Sequence, residues 1–205
     1  MTLAISQALV SEFAGGQASD AVMVGINLVK DSEAVFFQYL GDDQAPKALM
    51  LESGKPLTRM VNVRLDSIDV AEEVGQYKAT KLNLTLSTTT GVKVMLTSGL
   101  NTIWSQCVLG SLLGLFRVMP IDSVFQLDVW KGKNGLKPAF AAIRVMGNKY
   151  SDNETYELFA DARSEKNDLA KEQIARNVIA QIKELQGAPV EPVVVTETVT
   201  EECEF

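Results

Sequence analysis

Histidine is absent from the 205 residues. Its absence excludes Ser-His-Asp triads, Cys-His dyads and histidine metal ligands. Cysteine is scarce. Cys107 lies in an apolar segment and Cys203 near the C-terminus, a pair that makes neither a disulfide framework nor a zinc site. A reducing, cytoplasmic location is the simplest reading of that usage. No apolar run reaches the roughly 20 residues of a membrane span. The best candidate, Ile103 to Met119, is interrupted by Ser105, Gln106, Ser111 and Arg117, and it reads as a buried helix. The N-terminal Met1-Thr2-Leu3-Ala4-Ile5-Ser6-Gln7 lacks the positive start of a secretory signal. Neither a phosphate-binding Gly-x-x-x-x-Gly-Lys-Ser/Thr loop nor a Gly-x-Gly-x-x-Gly turn occurs. Apart from the C-terminal segment, the tight acidic pairs are Asp42-Asp43 and Glu72-Glu73, both in turn-like settings. The expectation is a protein that is not an enzyme and needs no cofactor or metal.

What is present is a sorted charge distribution. The net charge is -7. Residues 1–150 hold 14 Lys/Arg against 13 Asp/Glu, whereas residues 151–205 hold 5 against 13. The acidity therefore belongs to the C-terminal quarter. A near-neutral body can still carry a basic groove if its charges are sorted by face. From Gly187 onward there is no Lys or Arg, Pro189 and Pro192 break helix and ladder, and the acids repel one another. The segment 187–205 is expected to be a disordered acidic tail closing on Glu201, Glu202, Cys203, Glu204 and Phe205.

Period-two alternation marks the body as strand-rich. Strands are expected at 21–29, 34–40 and 48–51. After them come Met60 to Val70, with Val61, Val63 and Leu65 on one side, and Tyr77 to Thr88, with Leu82, Leu84 and Leu86 on one side. Val92 to Leu96 follows, then a helix over about Leu100 to Leu115, then strands Val124 to Trp130 and Lys137 to Val145 around an Asn134-Gly135 hairpin. A leading helix over Leu3 to Phe13 and a closing one over about Asn167 to Leu185 complete the pattern. The closing helix docks on the domain or, alternatively, makes a homodimer contact.

Strand, strand, strand, helix, strand, strand is the order of the OB-fold. The fold expected is thus β-rich α+β: a five-stranded OB barrel over 58–146, extra N-terminal strands over 1–57, a linker and helix over 147–186, and the tail. Single strands bind such folds through stacking aromatics and phosphate-tracking cations. Side chains on the polar faces and at the loops give Arg64, Tyr77, Lys81, Lys93, Trp130, Lys131, Lys133, Phe140 and Arg144 as candidates. Each also has a structural reading: Trp130 and Phe140 as packing under neighbouring elements, Tyr77 as a barrel lid, and the lysines as solubilising charge. Trp104 and Phe116 belong to the core. Of Phe36, Phe37 and Tyr39, at least one is expected to be exposed or to cover a neighbour.

With barrel order and tail together, the chain resembles single-stranded DNA-binding proteins of the bacteriophage type. The resemblance implies non-catalytic, sequence-tolerant coating of single strands in replication or recombination. It also implies recruitment of replication and recombination proteins through a tail onto which Glu201, Glu202, Glu204 and Phe205 map, in the cytoplasm of a bacterial host. The rival expectation is a non-enzymatic phage structural or assembly protein acting through protein contacts.

Overall fold

The computed structural model describes residues 21–29, 31–38, 45–75, 78–133 and 138–187. The leading helix, the Asn134-Gly135 turn and the acidic tail lie outside the described residues. Within them the chain is α+β, with one open sheet of nine strands and three helices. The strands are β1 Val22–Ile26, β2 Phe36–Gln38, β3 Lys47–Ala48, β4 Arg59–Val74, β5 Ala79–Thr88, β6 Lys93–Gly99, β7 Phe125–Lys131, β8 Ala139–Val145 and β9 Asn148–Tyr150. The helices are α1 Ile103–Phe116, α2 Asn153–Ser164 and α3 Asp168–Gly187. The sheet order is β3-β2-β1-β6-β5-β4-β7-β8-β9.

The expected chain order of three strands, a helix and two strands is present as β4, β5, β6, α1, β7 and β8. The long strand β4 pairs β5 through its C-terminal part and β7 through its N-terminal part. The two strands that would close a five-stranded barrel spend their second edges elsewhere. Strand β6 pairs β1 in parallel, and β8 pairs β9. The sheet nonetheless curls strongly. In a flat sheet β1 and β7, four spacings apart, would stand about 19 Å from each other. Yet Lys131 at the end of β7 donates through Nζ to the carbonyls of Val29 (3.2 Å) and Ser32, in the loop that follows β1.

Alternation is broken in β4, and this corrects the expected inner face. Met60, Val63, Leu65 and Ile68 are buried, while Val61 is only half-buried. Register shifts between Met60 and Val63 and between Leu65 and Ser67 explain it. A bulge inserts one residue and moves every later side chain to the other face. At the first shift Asn62 has φ +54°, a left-handed conformation that Asn tolerates better than most residues, and its carbonyl accepts from the Thr89 amide at 3.2 Å. Phe36 and Phe37 are both buried, so this strand is covered on both faces; Tyr39 lies outside the described residues.

The inner face of the sheet, with Leu82, Leu84, Leu86, Leu96, Phe125, Leu127, Val129 and Ile143, meets α1 in one core that Trp104, Leu109, Leu112 and Phe116 complete. Helix α1 is apolar nearly all round because it is enclosed; α2 and α3 pack outside it. Its buried Ser105, Gln106 and Ser111 are hydrogen-bonded, whereas the buried Trp104 Nε1 makes no hydrogen bond among the described residues. Ser105 Oγ donates to Gly99 O (2.8 Å), Gln106 Nε2 donates to Asn101 O (3.1 Å), and Ser111 Oγ meets Tyr156 Oη at 3.0 Å. Helix α3 docks through Ala175, Val178, Ile179 and Ile182. It also reaches the stretch of β4 that β7 leaves unpaired, where Lys183 Nζ meets Asp69 (2.7 Å) and Arg176 meets Glu72 (2.6 Å). Covering an edge in this way blocks unwanted strand pairing. Among the described residues no helix is long and apolar enough to cross a membrane.

Candidate nucleic-acid interface

The face of the sheet turned away from the helices carries the polar half of each alternation. Strand β7 sends Phe125, Leu127 and Val129 inward, which leaves Gln126, Asp128 and Trp130 outward. Residues directly opposite in an antiparallel pair share a face. The registers Trp130–Phe140, Gln126–Arg144 and Arg144–Lys149 therefore put Phe140, Arg144 and Lys149 beside them, and Arg59 joins opposite Asp128.

Trp130 and Phe140 are stacked, with ring centroids 5.9 Å apart and planes within 11° of parallel. Gly132 makes room for this pair. A Cβ there would lie 3.1 Å from Phe140 Cε2 and 3.3 Å from Pro138 Cδ. Phe140 is thus half-buried between its neighbours, while Trp130 remains 44% exposed. An indole backed by a second ring and open to solvent is a stacking platform of the kind that accepts a nucleobase.

Four cations of this face, Arg59, Arg144, Arg64 and Lys93, are gathered around two carboxylates. Asp128 accepts from Arg59 Nε (2.6 Å), Arg144 Nε (3.0 Å) and the Gln126 amide (2.9 and 3.0 Å). Burial pushes its carboxyl up, but the hydrogen bonds from Arg59, Gln126 and Arg144 outweigh this and hold it below the usual range. Asp66, in the second bulge of β4, accepts from Ser87 Oγ at 2.7 Å and stands 3.6 Å from Arg64 Nε and 3.8 Å from Lys93 Nζ. Arg64 Nε also donates to Ser87 Oγ at 2.9 Å. The two clusters lie on the same face, from β6 through β5 and β4 to β7, β8 and β9. At one strand spacing per step, the strip from Lys93 to Lys149 is about 24 Å long.

The expected residues do not all converge. Lys81 is half-buried on β5, aligned with Asn83 and Thr85 and opposite Gly99 of β6. It shares the face with Lys93 but stands well along the strand from it. Lys131 has the inward parity of Val129, and its ammonium ties down the loop after β1. Lys133 is exposed beyond β7. Tyr77, Glu201, Glu202, Glu204 and Phe205 lie outside the described residues. Arg59, Gln126, Asp128 and Lys149 were not singled out from the sequence. The parity of Gln126 and Asp128 was legible there, but their role as a hub was not, because it depends on which arginines the neighbouring strands deliver. Lys149 was hidden by a polar stretch that folds as β9.

Other features offer less chemistry. No group of three or more His, Cys, Asp or Glu that could hold a metal occurs among the described residues. Burial pushes the Cys107 thiol up, away from nucleophilic use. A shallow groove of about 180 Å³ between α2 and α3 is lined by Leu158, Ile174, Val178 and Arg117. Comparison with protein-family models, with curated proteins and with solved structures finds no match.

Proposed function

We propose that the protein binds single-stranded DNA without sequence preference and protects it during replication or recombination. The observation that carries this reading is the half-exposed Trp130 backed by Phe140, on the same sheet face as Arg59, Arg64, Lys93, Arg144 and Lys149. Every base has a π-face, so stacking is tolerant of sequence, and the cations supply phosphate contacts. Asp66 and Asp128 partly neutralise those cations, so affinity is moderate and strongly weakened by salt. The strand order and the long, bulged β4 support reading β4 to β8 with α1 as an OB-like unit, in which β1 occupies the edge of β6. On the same reading the acidic segment after Gly187 is a tether for partner proteins, as in the bacteriophage-type family the sequence resembles.

The test is fluorescence anisotropy of labelled oligo-dT at low and moderate salt, with the full chain and Trp130→Ala. Stacking on an aromatic contributes about 1–3 kcal/mol per base. Trp130→Ala is therefore expected to weaken binding by about one order of magnitude or more, with the fold retained because the ring lies outside the core. Absence of binding by the wild-type chain at low salt would overturn the reading in favour of a protein-contact role in phage structure or assembly.

A further inference from the structure

We propose that Arg59 and Arg144 together form the seat of one backbone phosphate, with Asp128 as the positioning residue that gathers them. This inference rests on the single-strand reading and makes it specific. The two arginines come from different strands, β4 and β8, and only the intervening β7 brings them together. Their Nε atoms lie 2.6 and 3.0 Å from opposite oxygens of the same carboxylate. Gln126 fixes that carboxylate by donating to both oxygens. The Asp128 side chain is only 15% exposed, while those of Arg59 and Arg144 are 58% and 39% exposed.

Each guanidinium carries five N–H donors in a rigid fork. Arg59 spends its Nε on Asp128 and, among the described residues, makes no other hydrogen bond. Arg144 spends Nε on Asp128 and one terminal nitrogen on Gly147 O at 3.1 Å. Most of the terminal N–H groups are therefore left to solvent. One carboxylate between two guanidiniums leaves a net positive charge, which suits a single oxyanion, and bidentate arginine geometry matches phosphate. Trp130 lies two residues further along β7 on the same face, about 6.8 Å from Asp128 along the strand. A phosphate held by the arginines thus places an adjacent base within reach of the indole.

One shared phosphate makes the two arginines coupled, and independent surface charges are additive. The experiment is oligo-dT binding by the full chain over a salt series, comparing wild type, Arg59→Gln, Arg144→Gln, the double variant, and Lys55→Gln as an exposed control outside the strip. Each single arginine variant is expected to bind about tenfold more weakly. The double variant should lose clearly less than the product of the two, and its log–log salt slope should flatten by about 0.7, the value for one single-strand phosphate. A multiplicative loss with a slope change of about 1.4 would overturn the shared seat, as would single variants no weaker than Lys55→Gln. Inorganic phosphate, matched to chloride in ionic strength, competes for the same seat. It is expected to displace oligo-dT from wild type more strongly than chloride does, and this excess should vanish in the double variant. Equal displacement of wild type by both anions, or an excess that persists in the double variant, would overturn the proposal. If wild type fails to bind oligo-dT at low salt, the single-strand reading has failed. If wild type binds but the arginines are uncoupled, only the seat has failed.

Discussion

Gly114 shows how closely the helices depend on a single missing methyl group. A Cβ at this position of α1 would stand 2.4 Å from the Ser151 carbonyl carbon and 2.6 Å from the Asp152 amide nitrogen, both backbone. One turn earlier the Gly110 carbonyl accepts the Asp152 amide at 2.9 Å, and a Cβ there would meet the Tyr156 ring first, at 3.2 Å. Ala is the better helix former by about 1 kcal/mol. Overpacking nevertheless wins where backbone cannot move aside. Gly114→Ala is expected to destabilise the fold by about 1–3 kcal/mol in urea unfolding, and Gly110→Ala by less, because a side chain can shift. Equal stability of Gly114→Ala and wild type would refute the close crossing. Asp128 supplies a second expectation at this scale. Its carboxyl is held below its ordinary value, so its contribution to stability is present above about pH 4, the unfolded range for Asp. That contribution is lost as pH falls through the lower folded value. Asp128→Asn should therefore be less stable than wild type at neutral pH and converge with it in strong acid, as acid-dependent thermal unfolding will show.

Elements were legible where burial imposes a period and illegible where it does not. Strand β5 reads cleanly because Leu82, Leu84 and Leu86 are all buried while Lys81, Asn83 and Thr85 are not. Helix α1 was legible from its length and leucines, and the structure adds its Thr102 cap, which accepts from the Ser105 amide. On the expected inner face of β4, Val63 and Leu65 are buried and Val61 alone turns away, because the bulge between Met60 and Val63 shifts parity, and a bulge at Asn62 has no signal in hydrophobic alternation. Helix α2 was missed because it buries only Thr155, Phe159 and Ala162, and its Leu158 is left exposed, so it shows no continuous apolar stripe. Its available signal was Asp152, whose carboxylate accepts the Thr155 amide at 2.9 Å. The β8–β9 hairpin shows a local conflict. Its two-residue turn has Met146 at φ +49° and Gly147 at φ +85°, and Met146 is 98% exposed. Such turns favour Asn-Gly, and a bulky residue in the left-handed region is strained. Met146→Asn is expected to raise stability by about 0.5–1 kcal/mol in a thermal shift assay. A fall in stability would show that the turn is not under strain.

At the scale of the molecule, one curled sheet divides the chain's chemistry between its faces. Among the described residues, the inner face and the helices hold most of the buried large apolar side chains. The outer face holds the stacked rings and the cations grouped around Asp66 and Asp128. That division was partly visible in the sequence, where parity puts Arg64, Trp130, Phe140 and Arg144 on polar faces. Their grouping was not visible, since it follows from strand order and register. The outer face thus presents a strip of cations beside two stacked rings, the combination on which the proposed single-strand binding rests.

The two tryptophans make the central claim directly measurable. Trp104 is buried in α1, and Trp130 is open on the proposed face. Titration of the full chain with oligo-dT at low salt, followed by tryptophan emission, reports contact at Trp130 itself. The account expects saturable quenching that added salt reverses and that disappears in Trp130→Phe. Unchanged emission at saturating oligonucleotide would contradict it.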